Sequence, residues 1–169
     1  MIFLIKSCKI KNKTMKQLNI KLVKQKGNKN CWAACLSMAL QVFDIQKTEK
    51  DICSLFGEYN GMSLDILHHE LPTQFPDLHS IYQSELDSQN PNPILSFDQI
   101  KGYIDKNQPI LIGVYQYNGL LAHALLIYGY DENNNNVILA DPWIGQEVIM
   151  DYKNLTQHVF WVETLIITQ

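Results

Sequence analysis

Arginine is absent from the 169 residues: all 14 basic side chains are lysine, set against 17 acids for a net charge of -3. Without the planar guanidinium, bidentate reading of phosphate or guanine is not expected, which argues against a specific nucleic-acid partner. Long apolar runs are missing as well. No stretch reaches the roughly 20 apolar residues of a membrane helix, so no membrane span is expected. The apolar start at residues 1–5 ends at Lys6, short of the roughly 7–15-residue core of a Sec signal peptide. The expected location is the cytoplasm, or outside the cell by a dedicated secretion route. Cys8, Cys31, Cys35 and Cys53 show no framework spacing and read as reduced thiols rather than as disulfide staples.

What is present is enough for one buried core. With 46% apolar and 18% charged residues, the chain falls in the range of a single soluble globular domain. Charge is unevenly placed: residues 1–43 carry nine lysines and no acid, whereas 44–169 carry five lysines against 17 acids. Residues 1–16 alternate lysine with apolar side chains without a period and read as a basic appendage or leader, with Met15 as an alternative start. Residues 17–169 read as the domain.

Within that domain, Trp32, Cys35, Leu36, Ala39, Leu40 and Phe43 recur at helical spacing, with Asn30 as N-cap and Cys31 in the first turn. A second helix is expected from Thr48 to Phe56, with Asp51 completing a capping box and Gly57 as the stop. A third is expected from Ser63 to Leu71, ending at Pro72. A short strand follows over Leu78–Gln83, then a loop marked by Pro91 and Pro93, and a helix capped by Ser96 and Gln99. After Pro109 the period changes to that of strands: 110–117, an Asn118-Gly119 hairpin turn, 120–130, 137–140, 147–150 and 159–167. A helical part at about 30–107 followed by a sheet part at about 109–167 is an α+β arrangement, and a site is expected between the two.

Cys31 stands out by its setting. At a helix N-terminus the unpaired N–H groups and the positive end of the dipole favour a thiolate, and Lys26 and Lys29 precede it. A thiolate nucleophile needs a base, and His123 enters an apolar strand where His68, His69, His79 and His158 lie in more polar surroundings. Asp141 closes the next strand and is the candidate to orient the imidazole. One tension remains: a symmetric hairpin about the Asn run sets His123 opposite Ile144, so a bulge, an asymmetric loop or strong twist must bring Asp141 nearer. Cys35, a turn beyond Cys31, reads as structural. A zinc site built from Cys31, Cys35, His68 and His69 is disfavoured because Cys-x3-Cys on a helix lacks a partner knuckle. No metal or cofactor is expected.

Gln25 six residues before Cys31, the run Cys31-Trp32-Ala33-Ala34, His123-Ala124, and Asp141-Pro142-Trp143 together resemble the papain-like cysteine peptidases. The resemblance implies a two-lobed fold and a protein or peptide substrate, with Cys31 as nucleophile, His123 as acid and base, and Asp141 as its orienting partner. It also implies that Gln25 supplies an oxyanion-hole donor and that Trp143 shields the His123–Asp141 pair, Trp143 having the plain alternative of a core aromatic. Within the clan the chain is similar to compact bacterial branches, the C39-type leader peptidases and the C70-type effector proteases. The C70 type fits better because Trp32 stands where C39 domains usually have glycine. An effector or toxin role follows as an expectation, with room for an activating or inhibitory protein partner. Deamidation, transglutamination or amide hydrolysis on the same residues, and a silent binding module, are the alternatives the sequence leaves open.

Overall fold

A computed structural model describes residues 15–57, 61–84, 92–116 and 121–169. Helix α1 (Cys31–Leu40) is buried from Trp32 through Leu40, so it is enclosed on all sides instead of presenting one apolar face. Its Ala33, Ala34 and Ser37 make this feasible, because small side chains let neighbours close in where a polar stripe would otherwise need water. A 3-10 turn at Gln41–Phe43 ends it. Helix α2 (Glu49–Phe56) starts with the expected capping box, Thr48 and Asp51 exchanging hydrogen bonds, and stops at Gly57, whose φ is 87°. It packs on α1, where the Phe56 ring meets Trp32 edge-on at 6.0 Å between centroids.

Helix α3 (Leu64–Gln74) runs past Pro72, where the sequence pattern predicts its end. Proline removes only one ladder bond there because it lies in the last turn, and Phe75 N–H still donates to the Leu71 carbonyl. Helix α4 (Phe97–Asp105) has the expected Ser96–Gln99 capping box. Strand β1 (Met15–Gln17) takes in the last two residues of the segment read as an appendage. The other strands are β2 (His79–Ser84), β3 (Ile110–Gln116), β4 (Leu121–Asp131), β5 (Asn136–Asp141), β6 (Gln146–Asp151) and β7 (Phe160–Thr168). Between β6 and β7 lies α5 (Tyr152–His158), which the sequence pattern did not predict; Asp151 caps it by accepting from Asn154 N–H. Seven residues are too few to show a helical period. Residues 1–14 and the Asn118-Gly119 turn lie outside the described residues.

All pairings in the sheet are antiparallel and its order is β2-β7-β3-β4-β5-β6, with β1 pairing β4 as a branch. Helices come mainly from the N-terminal half and strands from the C-terminal half, in keeping with the α+β reading. Strand β5 is buried from Val137 to Ala140 and β4 from Ala124 to Asp131, so the middle of the sheet is covered on both faces. Helix α1 rests on β3 and β4. That contact brings the first turn of α1 to the end of β4 that carries His123. Among the described residues no helix is long and apolar enough to cross a membrane.

Candidate active site

Cys31 is the first residue of α1 and half-buried. Burial alone would raise its thiol pKa, but hydrogen bonds from His123 and from the backbone N–H groups of Ala124 and Trp32 outweigh it and bring the pKa below the ordinary 9.0. The net effect is a thiol biased toward thiolate. Asn30 occupies the N-cap position without capping by its side chain. That amide instead donates to Glu49 Oε1 at 2.8 Å, leaving the N–H groups of the first turn free to face the sulfur.

His123 is 9% exposed, and its Nε2 is 2.8 Å from Asp141 Oδ1. With Nε2 committed to the carboxylate, Nδ1 is the nitrogen left for Cys31. Burial pulls the imidazole pKa down, yet the bonds with Asp141 and Cys31 prevail and raise it to about 9. Asp141 moves the other way: burial would raise its pKa, while His123 and the backbone N–H groups of Trp143 and Ile144 hold it below the usual 3.8. The three shifts agree on one proton distribution, a thiolate, an imidazolium and a carboxylate in a row.

The contact between His123 and Asp141 depends on one residue. From Asp131↔Asn136 through Gly129↔Ile138 the β4–β5 ladder follows one register, then it shifts to Ile127↔Leu139 and Leu126↔Ala140. Tyr128 is the extra residue, a β-bulge. Without it the ladder would set His123 opposite position 144, and Asp141 would point to the other face of the sheet. With it, Leu125 comes opposite Asp141, so His123, two residues from Leu125, shares the face of Asp141 and lies diagonal to it. Diagonal neighbours lie about 7–8 Å apart by backbone, within reach of an imidazole and a carboxylate. Of the remedies that the sequence called for, the structure uses a bulge.

Gln25 is 9% exposed and its backbone N–H donates to the Pro142 carbonyl at 2.8 Å, tying its loop to the turn after Asp141. Its Nε2 donates to the Gly27 carbonyl at 2.7 Å. A carbonyl accepts only, which fixes which end of the amide is nitrogen and leaves the second Nε2 hydrogen uncommitted to that bond. Gln25 Oε1 is buried with no partner among the described residues. Trp143 is 57% exposed and so no core aromatic; its backbone N–H donates to Asp141 Oδ1 at 2.9 Å. Cys35 is fully buried and donates to the Ala124 carbonyl at 3.4 Å, as a structural thiol would. His68 and His69 lie on α3, where His68 Nδ1 meets Ser80 Oγ at 2.8 Å. The sequence reading missed Glu49, a 6% exposed acid at the start of α2 whose carboxylate takes N–H groups from the loop behind Cys31.

A half-buried thiol at a helix start, an imidazole on the facing strand and a carboxylate on the next form the arrangement of a papain-like cysteine peptidase. The chain belongs to the Peptidase_C39 like family, whose profile matches residues 17–164. Solved structures agree at the level of fold. The peptidase domain of Streptococcus ComA, a bi-functional ABC transporter of a quorum-sensing pathway, superposes with a TM-score of 0.62 at 17% identity, covering 89% of this chain and 98% of that one. A double glycine motif protease from an AMS/PCAT transporter, solved with a leader peptide, gives 0.62 at 14% identity over 90% and 93%. Xylellain, a cysteine protease from Xylella fastidiosa, gives 0.62 at 14% identity over 92% and 85%. No curated protein matches the chain in sequence. The matching family is thus the C39-like one, where Trp32 had favoured the C70 type. Trp32 is 1% exposed and packed on Phe56, so its identity answers to the core and is a poor guide to the branch.

Proposed function

We propose that this cysteine peptidase hydrolyses peptide bonds through a thioester on Cys31, with His123 and Asp141 completing a triad and Gln25 in the oxyanion hole. The observation that carries the reading is His123, whose Nε2 is 2.8 Å from Asp141 Oδ1 and whose imidazole also hydrogen-bonds with Cys31. The Cys31 thiolate would attack the scissile carbonyl, forming the C–S bond, while the carbonyl electrons move onto oxygen. Gln25 Nε2 and the Cys31 N–H would donate to that oxyanion. Collapse expels the amine, which takes the proton of the His123 imidazolium. Neutral His123 then takes a proton from water, whose oxygen attacks the thioester and releases the acid and the thiolate. Asp141 keeps Nε2 protonated throughout and stabilises each imidazolium. Trp143, whose backbone N–H bonds Asp141, would shield the pair once a substrate covers it. A leader peptide bound to one protein of this fold supports an extended peptide or protein segment as substrate.

The test is intact mass after brief iodoacetamide treatment of wild type, Cys31→Ala and His123→Ala, followed by digestion of unfolded casein. We expect one rapid adduct in wild type, none of that speed in Cys31→Ala, and slowing by about 10- to 100-fold at pH 7 in His123→Ala, as the thiolate fraction falls. Casein should gain new termini with wild type alone. Equal, slow labelling of all the thiols would overturn the triad. A one-dalton gain in casein without cleavage would make the enzyme a deamidase.

A further inference from the structure

The loop that joins Gln25 to Cys31 is held by an acid from another element. Glu49, the first residue of α2, is 6% exposed, and its carboxylate accepts three N–H groups from that loop. Lys26 N–H donates to Oε2 at 2.8 Å, Gly27 N–H to Oε1 at 3.2 Å, and Asn30 Nδ2 to Oε1 at 2.8 Å. All three donors lie between the candidate oxyanion residue and the candidate nucleophile. The Gly27 carbonyl, one peptide on, accepts from Asn30 N–H at 3.2 Å and from Gln25 Nε2 at 2.7 Å. Gly27 itself has to lack a Cβ, because one built there would lie 2.7 Å from Asn30 Cγ and push that side chain off its bond to Glu49.

We propose that Glu49 is a positioning residue of this site: by gathering the N–H groups of Lys26, Gly27 and Asn30 it fixes the Gly27 turn, whose carbonyl holds the Gln25 amide where a tetrahedral oxyanion would form. The inference rests on the reading of Gln25 as an oxyanion donor. A carboxylate suits the task because it offers only acceptors, and hydrogen bonds to a charged acceptor are stronger than neutral ones. Glutamine at position 49 would keep the shape while turning an NH2 group toward N–H donors. Glu49 touches no reacting atom, so it should govern steps that develop an oxyanion and leave others alone.

Two reagents separate those steps. Acylation by 4-nitrophenyl acetate passes through a tetrahedral oxyanion, whereas alkylation by iodoacetamide displaces iodide at a saturated carbon and does not. We measure the Cys31-dependent rate of each, subtracting Cys31→Ala. In Glu49→Gln acylation should fall about 10- to 100-fold, part of the 10²–10³ that loss of a donor costs, with alkylation within twofold of wild type. Asn30→Ala, which removes one of the three arms, should show the same signature at about threefold, and it decides the matter if Glu49→Gln does not fold. The double variant Gln25→Ala/Glu49→Gln should acylate no more slowly than Gln25→Ala. Equal losses of acylation and alkylation, unchanged acylation, or additive losses in the double variant would each overturn the role of Glu49. If Gln25→Ala itself acylates at the wild-type rate, the oxyanion reading of Gln25 fails instead.

Discussion

Two thiols stand one turn apart on α1 and face opposite surroundings. Cys31, in the first turn, is half-buried, bonded with His123, and has its pKa lowered. Cys35, in the second, is fully buried, bonded to the Ala124 carbonyl, and has its pKa raised well above 9.0 by burial and by the nearby charges of Cys31 and Asp141. Ala124 serves both: its N–H supports the Cys31 sulfur while its carbonyl accepts from the Cys35 thiol. The backbone of one residue thus presents a donor to the thiol whose pKa is lowered and an acceptor to the thiol whose pKa is raised. Helix and residue type are shared, so what separates the two sulfurs is burial and the groups each one meets: His123 and backbone N–H groups at Cys31, a carbonyl in a closed core at Cys35.

The contrast can be erased from the Cys31 side. Asp141→Ala removes the carboxylate that keeps His123 charged, so the imidazole pKa should drop from about 9 toward its ordinary 6.5. The Cys31 thiolate fraction at pH 7 then falls with it. Peptide hydrolysis should decrease by about 10²–10⁴, and iodoacetamide should discriminate less between the two thiols, as read by peptide mapping. A rate within twofold of wild type would detach Asp141 from the site.

Sharpening it by pH gives a smaller and graded effect. The ion pair needs deprotonated Cys31, so it forms as pH rises through a value below 9.0, and it needs protonated His123, so it is lost as pH rises through about 9. Hydrolysis should fall above about pH 9, approaching tenfold per unit. Alkylation of Cys31, which needs only the thiolate, should not fall there. Coincident profiles for the two reactions would mean that His123 donates no proton to the leaving group. The smallest change is expected from Cys35→Ala. Losing the buried thiol and its bond to Ala124 should cost about 1–2 kcal/mol of stability, seen as a Tm lower by several degrees, with hydrolysis within about twofold. A loss of tenfold or more would give the second turn a part in the chemistry.

Much of this was legible because it is local. The Thr48–Asp51 and Ser96–Gln99 boxes lie within single turns, and the change of period after Pro109 marks the sheet without reference to anything distant. Cys31 was legible for the same reason, as a cysteine at a helix start. Glu49 was not, because an acid in the first turn of a helix reads as a solvent-facing partner of the dipole. Its burial comes from packing of α2 beside a loop some 20 residues earlier, which no window of sequence contains. Asn30 shows the same limit: the cap position was readable, the diversion of its side chain to Glu49 was not. For His123 and Asp141, spacing exposed a misfit in the hairpin but could not say that Tyr128 absorbs it.

The turn after Asp141 explains why Gln25 and Asp141 keep their separation. Gly145 has a φ of 70°, and a Cβ there would lie 2.5 Å from Lys24 Cβ, so the glycine lets that turn close on the segment just before Gln25.

The bulge at Tyr128 also divides the β4–β5 hairpin by its tolerance of length. Residues added at the tip, 132–135, would cost the bonds that Asp131 makes to Asn133 and Asn134 but would leave the two strands in phase. One residue removed between His123 and Gly129 would put the imidazole and the carboxylate on opposite faces while every strand kept its neighbours. Insertions of a tag or a reporter therefore belong at the tip, and among relatives of this chain gaps in alignment should gather there, with the stretch from His123 to Gly129 counted out to the residue.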